Sequence, residues 1–180
     1  LLDDREALLV VGMDGRPLPA KHGFPVRLLT PGLYGFVGAT KWLERLTATT
    51  YAAKPAYWTE RDWATDAPVR TQSRIDTPKG LGGLRAGQVA IGGVAWSQAH
   101  QGIRRVEVRV DDGPWVEATL GPEVGAAYWR QWSMSWEATP GRHQLTVRAT
   151  DGEGTVQATE RLDPFPSGAQ GLHSIVVIVD

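Results

Sequence analysis

The chain contains no cysteine among its 180 residues. A disulfide framework, a thiolate metal site and a thiol nucleophile are therefore excluded for it. It also lacks a long apolar run. The longest stretch near the end, Ile175 to Val179, is strand-sized and falls well short of the roughly 20 residues a spanning helix needs. An excess of one charge is missing too. Lys and Arg total 19, Asp and Glu 20, and the formal net charge is -1. The basic residues are scattered among acids and form no stripe, which argues against a nucleic-acid partner. Gly-x-Ser-x-Gly, a P-loop and a Gly-x-Gly-x-x-Gly turn after a strand are all absent, so the nucleophile elbow and the common phosphate-binding loops are not available. The sequence shows no signal-peptide pattern and begins at Leu1. A processed or trimmed segment, lacking part of its parent's chemistry, is the expectation.

What is present is an ordinary globular composition, with 42% hydrophobic and 22% charged residues. Glycine at 21 and proline at 12 suit many turns between short strands. Residues 7–13 read as a buried strand ended by the Asp14-Gly15 turn. Pro17, Pro19 and Pro25 forbid a helix through residues 16–25. Val26 to Leu29 is extended. Residues 40–50 fit either a helical face through Trp42, Leu43 and Leu46 or a Thr-rich strand. The aromatic and charged stretch 57–63 is expected to pack as a loop or short helix.

From Val69 the pattern is β. Candidate strands are 69–75, 88–96, 104–111, 114–119, 128–137, 142–150, 154–161 and 171–179. Val106, Val108 and Val110 alternate with Arg105, Glu107 and Arg109. Tyr128, Trp132, Met134 and Trp136 alternate with polar neighbours. Such alternation predicts one buried and one wet face. Asp112-Gly113, Pro140-Gly141 and Asp151-Gly152 supply turns between the strands. The spacing indicates an immunoglobulin-like β-sandwich anchored by Trp96, Trp132 and Trp136. Lys79 to Gly83 reads as a loop within it, and a junction between domains is expected near residues 64–70.

None of the four histidines, His22, His100, His143 and His173, stands at zinc-ligand spacing from another ligand. Taken singly, each reads as structural or solvated. One segment differs: His22 and Arg27 flank Phe24-Pro25, and Lys41 follows the Pro31-Gly32 turn. Arg offers a planar fork for phosphate oxygens and Lys a point charge, so the three form either a cationic cradle or an ordinary set of loop cations.

The strings Gly15-Arg16-Pro17-Leu18-Pro19, His22-Gly23-Phe24-Pro25-Val26-Arg27, Pro31-Gly32 and Lys41-Trp42-Leu43 resemble, in order, the end of the molybdopterin-binding domain of the sulfite oxidase family. Ala95-Trp96-Ser97, Val106-Glu107-Val108 and Asp111-Asp112-Gly113-Pro114-Trp115 resemble that family's C-terminal dimerisation domain. The tail Gly168-Ala169-Gln170-Gly171-Leu172-His173 is similar to bacterial members. The resemblance implies a mainly β protein: a partial α+β molybdopterin-binding domain over 1–68, then an immunoglobulin-like domain over 69–180. It implies that His22, Arg27, Ala39, Thr40 and Lys41 contact the pterin and its phosphate. The family's metal-ligating cysteine comes earlier than the matched region. Molybdopterin is thus expected in the complete parent, with none bound to this segment alone. At the family's substrate-binding arginine this chain has Gln101, and Arg104 is the nearby alternative. The implied partners are a second copy, through the sandwich, and the remainder of the cofactor domain. Compartment is not legible, and an extracytoplasmic location is one option for a bacterial parent.

Two other readings stand beside this one. The sandwich is an association module with no catalytic role, or its tryptophans form a carbohydrate platform, which would require exposed rings.

Overall fold

The computed structural model describes residues 6–180. The chain divides into two compact units. One runs to Val69 and takes in Asp163–Gly168; the other comprises Arg70–Leu162 and Ala169–Asp180. No helix among the described residues is long and apolar enough to cross a membrane.

The first unit contains β1 (Leu8–Val10), β2 (Gly12–Met13), β3 (Arg16–Pro17), β4 (Arg27–Leu29), α1 (Gly35–Gly38) and β5 (Ala39–Thr40). β1, β4 and β5 form an antiparallel sheet in the order β1-β4-β5, and β2 pairs with β3. Asp14 and Gly15 turn between β2 and β3 with φ of 53° and 71°, the left-handed pair that a two-residue hairpin requires. The expected buried strand over 7–13 is not observed. It splits into β1 and β2, and Leu8, Leu9 and Val11 are 47%, 63% and 65% exposed. β1 is an edge with β4 on one side only, and an apolar strand stays wet where no second layer covers it. Residues 43–50 form neither helix nor strand. The 57–63 stretch holds a short 3-10 turn at Thr59–Arg61. Aromatic rings consolidate this unit: Trp63 lies 4.7 Å from Phe36, 5.6 Å from Trp58 and 5.6 Å from Phe165. Ala64 N–H donates to the Pro166 carbonyl at 3.0 Å, which ties in the returning segment.

The second unit is the sandwich. Its strands are β6 (Gln72–Thr77), β7 (Gly83–Leu84), β8 (Gly87–Trp96), β9 (Ile103–Val110), β10 (Trp115–Glu117), β11 (Thr119–Leu120), β12 (Arg130–Ala138), β13 (Gly141–Asp151) and β14 (His173–Val179). One sheet runs β10-β9-β13-β14-β7 and the other β11-β12-β8-β6. Ile91, Val106, Leu145, Val147 and Val177 have no exposed surface; burying each contributes about 1.5–3 kcal/mol. Trp132 is buried, while Trp136 and Met134 pack against the core partly exposed. Across from Trp132 stands Gly93. A Cβ there would run into the Arg74 carbonyl and come 3.0 Å from the Trp132 ring, so glycine makes room for the indole.

Several expectations need correction. Tyr128 lies in a turn before β12 and is exposed. Trp96 is half-buried, tilted 5.1 Å from the exposed ring of Trp129. Residues 154–161 do not form a strand; a single bridge links Thr150 and Val156. The Gln157 side chain takes up the hydrogen bonding there. Its Oε1 accepts from Ser73 Oγ at 2.7 Å and from Ala149 N–H at 3.1 Å, and its amide donates to the Gly171 carbonyl at 2.9 Å. The glycine stretch ends in β7, which pairs in parallel with β14. The outward face of β9 is not wet throughout. Glu107 is buried and accepts from Arg148 Nε at 2.9 Å, and the Arg148 guanidinium lies 4.2 Å over the Trp115 ring.

Candidate cofactor-binding site

The cationic residues of the first unit meet around Gly23. Ala20–His22 form a 3-10 turn closed by Gly23 at φ 115°, a left-handed conformation that glycine adopts without steric cost. A Cβ on Gly23 would lie 3.2 Å from the Cβ atoms of both Arg27 and Lys41. The bare glycine thus lets the turn press against the roots of two cationic side chains. β4 and β5 set this up by pairing Leu28 with Thr40 and Leu29 with Ala39, so Arg27 and Lys41 leave adjacent strand ends together. His22 sits half-buried in the turn itself. Phe24-Pro25 is a cis peptide.

Side chains lock the two loops. Lys41 Nζ donates to the Lys21 carbonyl at 3.3 Å and Trp42 Nε1 to the Ala20 carbonyl at 2.9 Å. Leu43 N–H reaches the Val26 carbonyl at 3.0 Å. Trp42 has φ of 54°, an uncommon backbone state for a bulky residue and a form of strain found where a site is held in place. Lys41 Nζ also lies 4.8 Å over the Trp42 ring. Arg27 Nε is buried without a hydrogen-bond partner. An orphaned guanidinium donor beside a lysine and a close backbone turn suits an anionic group, so the residues present fit a pterin phosphate. Gly23 and Trp42 were not singled out as site residues. Both stand inside the recognisable strings, but only the backbone geometry reveals their roles. No group of three or more His, Asp or Glu residues that could hold a metal exists among the described residues.

The second pair of candidates lies in the sandwich. Gln98–His100 form a 3-10 turn, and Gln101 closes it at φ 60° with its side chain exposed. The Gln101 backbone packs on Gly152, and His100 Nδ1 lies 3.1 Å from Glu153 Oε2, so two loops meet at this end of the sandwich. Arg104, at the start of β9, is exposed. Both lie in the second unit and the cationic cluster in the first.

Comparison with known proteins bears on both regions. The family described as oxidoreductase molybdopterin binding domain matches residues 1–58. Mitochondrial sulfite oxidase of Mus musculus is 32% identical over 178 residues, covering 86% of this chain and 32% of that protein. By these matches the chain is similar to the sulfite oxidase family along most of its length. Sulfite oxidase of Arabidopsis thaliana is 29% identical over 181 residues, covering 86% of this chain and 46% of that protein. Inducible nitrate reductase (NADH) 2 of Glycine max is 30% identical over 186 residues, covering 82% and 20%. The chain therefore spans less than half the length of each of these relatives. Among solved structures, the sulfane dehydrogenase SoxCD from Paracoccus pantotrophus superimposes with a TM-score of 0.74 at 22% identity, over 97% of this chain and 51% of that one. That likeness is one of fold.

Proposed function

We propose that this chain is the C-terminal part of a sulfite-oxidase-like molybdenum oxidoreductase, holding the cofactor's phosphate and pterin and pairing with a second copy. The observation that carries this is the buried, unpaired Arg27 Nε beside Lys41, packed on Gly23. Arg27 grips phosphate oxygens with its fork, Lys41 adds a fixed charge, and His22 lines the turn between them. Ala39 and Thr40 present backbone along β5. When bound, the cofactor supplies two-electron oxygen-atom chemistry; the protein contributes placement and charge. Gln101 carries no charge and Arg104 does, so of the two only Arg104 could meet a substrate dianion electrostatically. The exposed apolar edge of β1 and β2 is the surface for the remainder of the cofactor domain. The chain alone is expected to be inactive.

The test is molybdenum and pterin content of the full-length parent, matured in a cofactor-producing host, beside the same assays on this chain. The parent should hold both and the chain neither. In the parent, Arg27→Met should lower pterin occupancy about tenfold or more, the effect of losing a charge-assisted contact. A properly matured parent without molybdenum would leave an association module.

A further inference from the structure

The sequence holds no asparagine and three Asp-Gly dipeptides, Asp14-Gly15, Asp112-Gly113 and Asp151-Gly152. In such a pair the glycine nitrogen can attack the aspartate side-chain carbon, because no Cβ on the following residue obstructs it and its backbone turns freely. With no asparagine to deamidate, these three are where backbone isomerisation is easiest.

All three stand between strands, yet the fold treats them differently. Asp151 is 1% exposed. Its Oδ1 accepts the N–H groups of Glu153 at 3.1 Å and Thr155 at 2.9 Å, so the carboxylate is held. Gly152 N–H donates to the His100 and Gly102 carbonyls, both at 3.0 Å, so the nucleophile is held as well. Asp112 is exposed, but Gly113 N–H donates to the Val110 carbonyl at 3.0 Å. β9, which leads into that turn, is paired with β13 on one side and β10 on the other.

Asp14 has neither lock. Its carboxylate and the Gly15 N–H make no hydrogen bond among the described residues, and a Cβ on Gly15 would have nothing within 4 Å. Both residues of β2 and both of β3 are exposed, and the strands pair only through Gly12 with Pro17 and Met13 with Arg16. A hairpin of two strands is marginal by itself and opens locally at little cost. Opening releases Asp14 from its left-handed φ and lets the Gly15 nitrogen reach the side chain.

We propose that Asp14-Gly15 is a modification site, at which the folded chain converts aspartate to isoaspartate and becomes a substrate for a methyltransferase that esterifies isoaspartyl carboxyls. The Gly15 nitrogen loses its proton and bonds to Asp14 Cγ, while a Cγ–oxygen bond breaks and water leaves. Water then opens the cyclic imide at the Asp14 backbone carbonyl carbon. Gly15 stays joined through Cγ, the former backbone carbonyl becomes a free carboxylate, and the mass is unchanged. Nothing is oxidised or reduced. The main chain gains one carbon in a turn whose length sets the register of Met13 with Arg16. The next contact along the hairpin, Leu18 N–H to the Val11 carbonyl at 3.1 Å, lies between this turn and the cationic cluster. The site does not depend on what that cluster binds.

The experiment ages the full chain at neutral pH, folded and, in parallel, unfolded in urea. Isoaspartate is read by labelled methyl transfer from S-adenosylmethionine with a purified isoaspartyl methyltransferase and is assigned by peptide mapping. The unfolded chain should be labelled at all three dipeptides. The folded chain should be labelled first at Asp14, about three- to tenfold more slowly at Asp112, the factor that one glycine N–H bond supplies, and not at Asp151. Asp14→Glu, whose longer side chain closes the ring far more slowly, should lose the label at that position and leave the other two rates as they are. Asp14→Asn should gain it faster than wild type. Label at Asp112 ahead of Asp14 in the folded chain, or none at Asp14 while the unfolded chain is labelled there, would overturn the site.

Discussion

At the scale of single residues, His143 and His173 lie on paired strands and respond to pH in opposite senses. His143 Nδ1 is 2.8 Å from Asp111 Oδ2 and its Nε2 2.9 Å from the Thr139 carbonyl. Two acceptors on one ring call for the doubly protonated form. The Asp111 bond, then the Thr139 bond, raise its pKa above 6.5. Its contribution is complete below pH 6.5 and is lost as pH rises through the raised value. His173 Nδ1 instead accepts the Ile75 N–H at 3.1 Å, so it must be neutral at that nitrogen. Burial, then the Arg74 charge, lower its pKa below 6.5. Its contribution is complete above pH 6.5 and is lost as pH falls through the lowered value. Asp111 is also held below 3.8, chiefly by the Gln144 N–H, and fails only in stronger acid. His143→Gln should remove the decline on the alkaline side, and His173→Gln, which keeps an acceptor, should flatten the decline on the acid side. Each effect is a few tenths to about 1 kcal/mol, read as melting temperature against pH. Identical profiles for both variants and wild type would contradict the assignment. From spacing alone both histidines read as structural or solvated, and in the fold each is hydrogen-bonded within the sandwich.

At the scale of elements, β8 shows how much depends on one missing side chain. Gly93 faces Trp132 across the ladder, and any Cβ meets the Arg74 carbonyl of β6. Gly93→Ala should therefore part β6 from β8 or displace the indole, costing about 1–3 kcal/mol as overpacking does. Gly83→Ala, with nothing within 4 Å of its Cβ, is the matched control and should stay within about 0.5 kcal/mol. Urea unfolding separates the two; equal midpoints would show that Gly93 is not a packing requirement. The long strands were legible because period-two alternation and turn dipeptides are local signals, as at Val106 and Val108 before Asp112-Gly113. Residues 154–161 misled because the same polar and apolar alternation arises when a side-chain amide, Gln157, replaces a backbone ladder. Glu107 misled because alternation says which face a residue takes, not whether Arg148 and Trp115 cover that face. In the cationic cluster the residue types were legible at His22, Arg27 and Lys41. The positive φ of Gly23 and Trp42, which shapes the approach, was not, because only a folded backbone displays it.

At the scale of the whole molecule, the two units differ in how much apolar surface they bury for themselves. The sandwich encloses Ile91, Val106, Leu145, Val147 and Val177 completely. The first unit leaves Leu8, Leu9, Val11, Met13, Trp42 and Leu46 each more than 40% exposed. Local opening is easiest where few apolar contacts close over the backbone hydrogen bonds. Amide hydrogen exchange on this chain should therefore find β8, β12 and β13 protected to near the global stability. β1 to β3 should exchange through small openings, several kcal/mol less costly. In the full-length parent, β1 and β2 should become protected if the remainder of the cofactor domain covers them, while sandwich protection stays the same. The comparison separates two causes of an exposed strand. Slow exchange of β1 in the isolated chain would mean that its hydrogen bonds need no cover. Fast exchange in both chain and parent would mean that another surface receives the missing domain. Protection gained only in the parent would identify β1 and β2 as the seam along which the cofactor domain is completed.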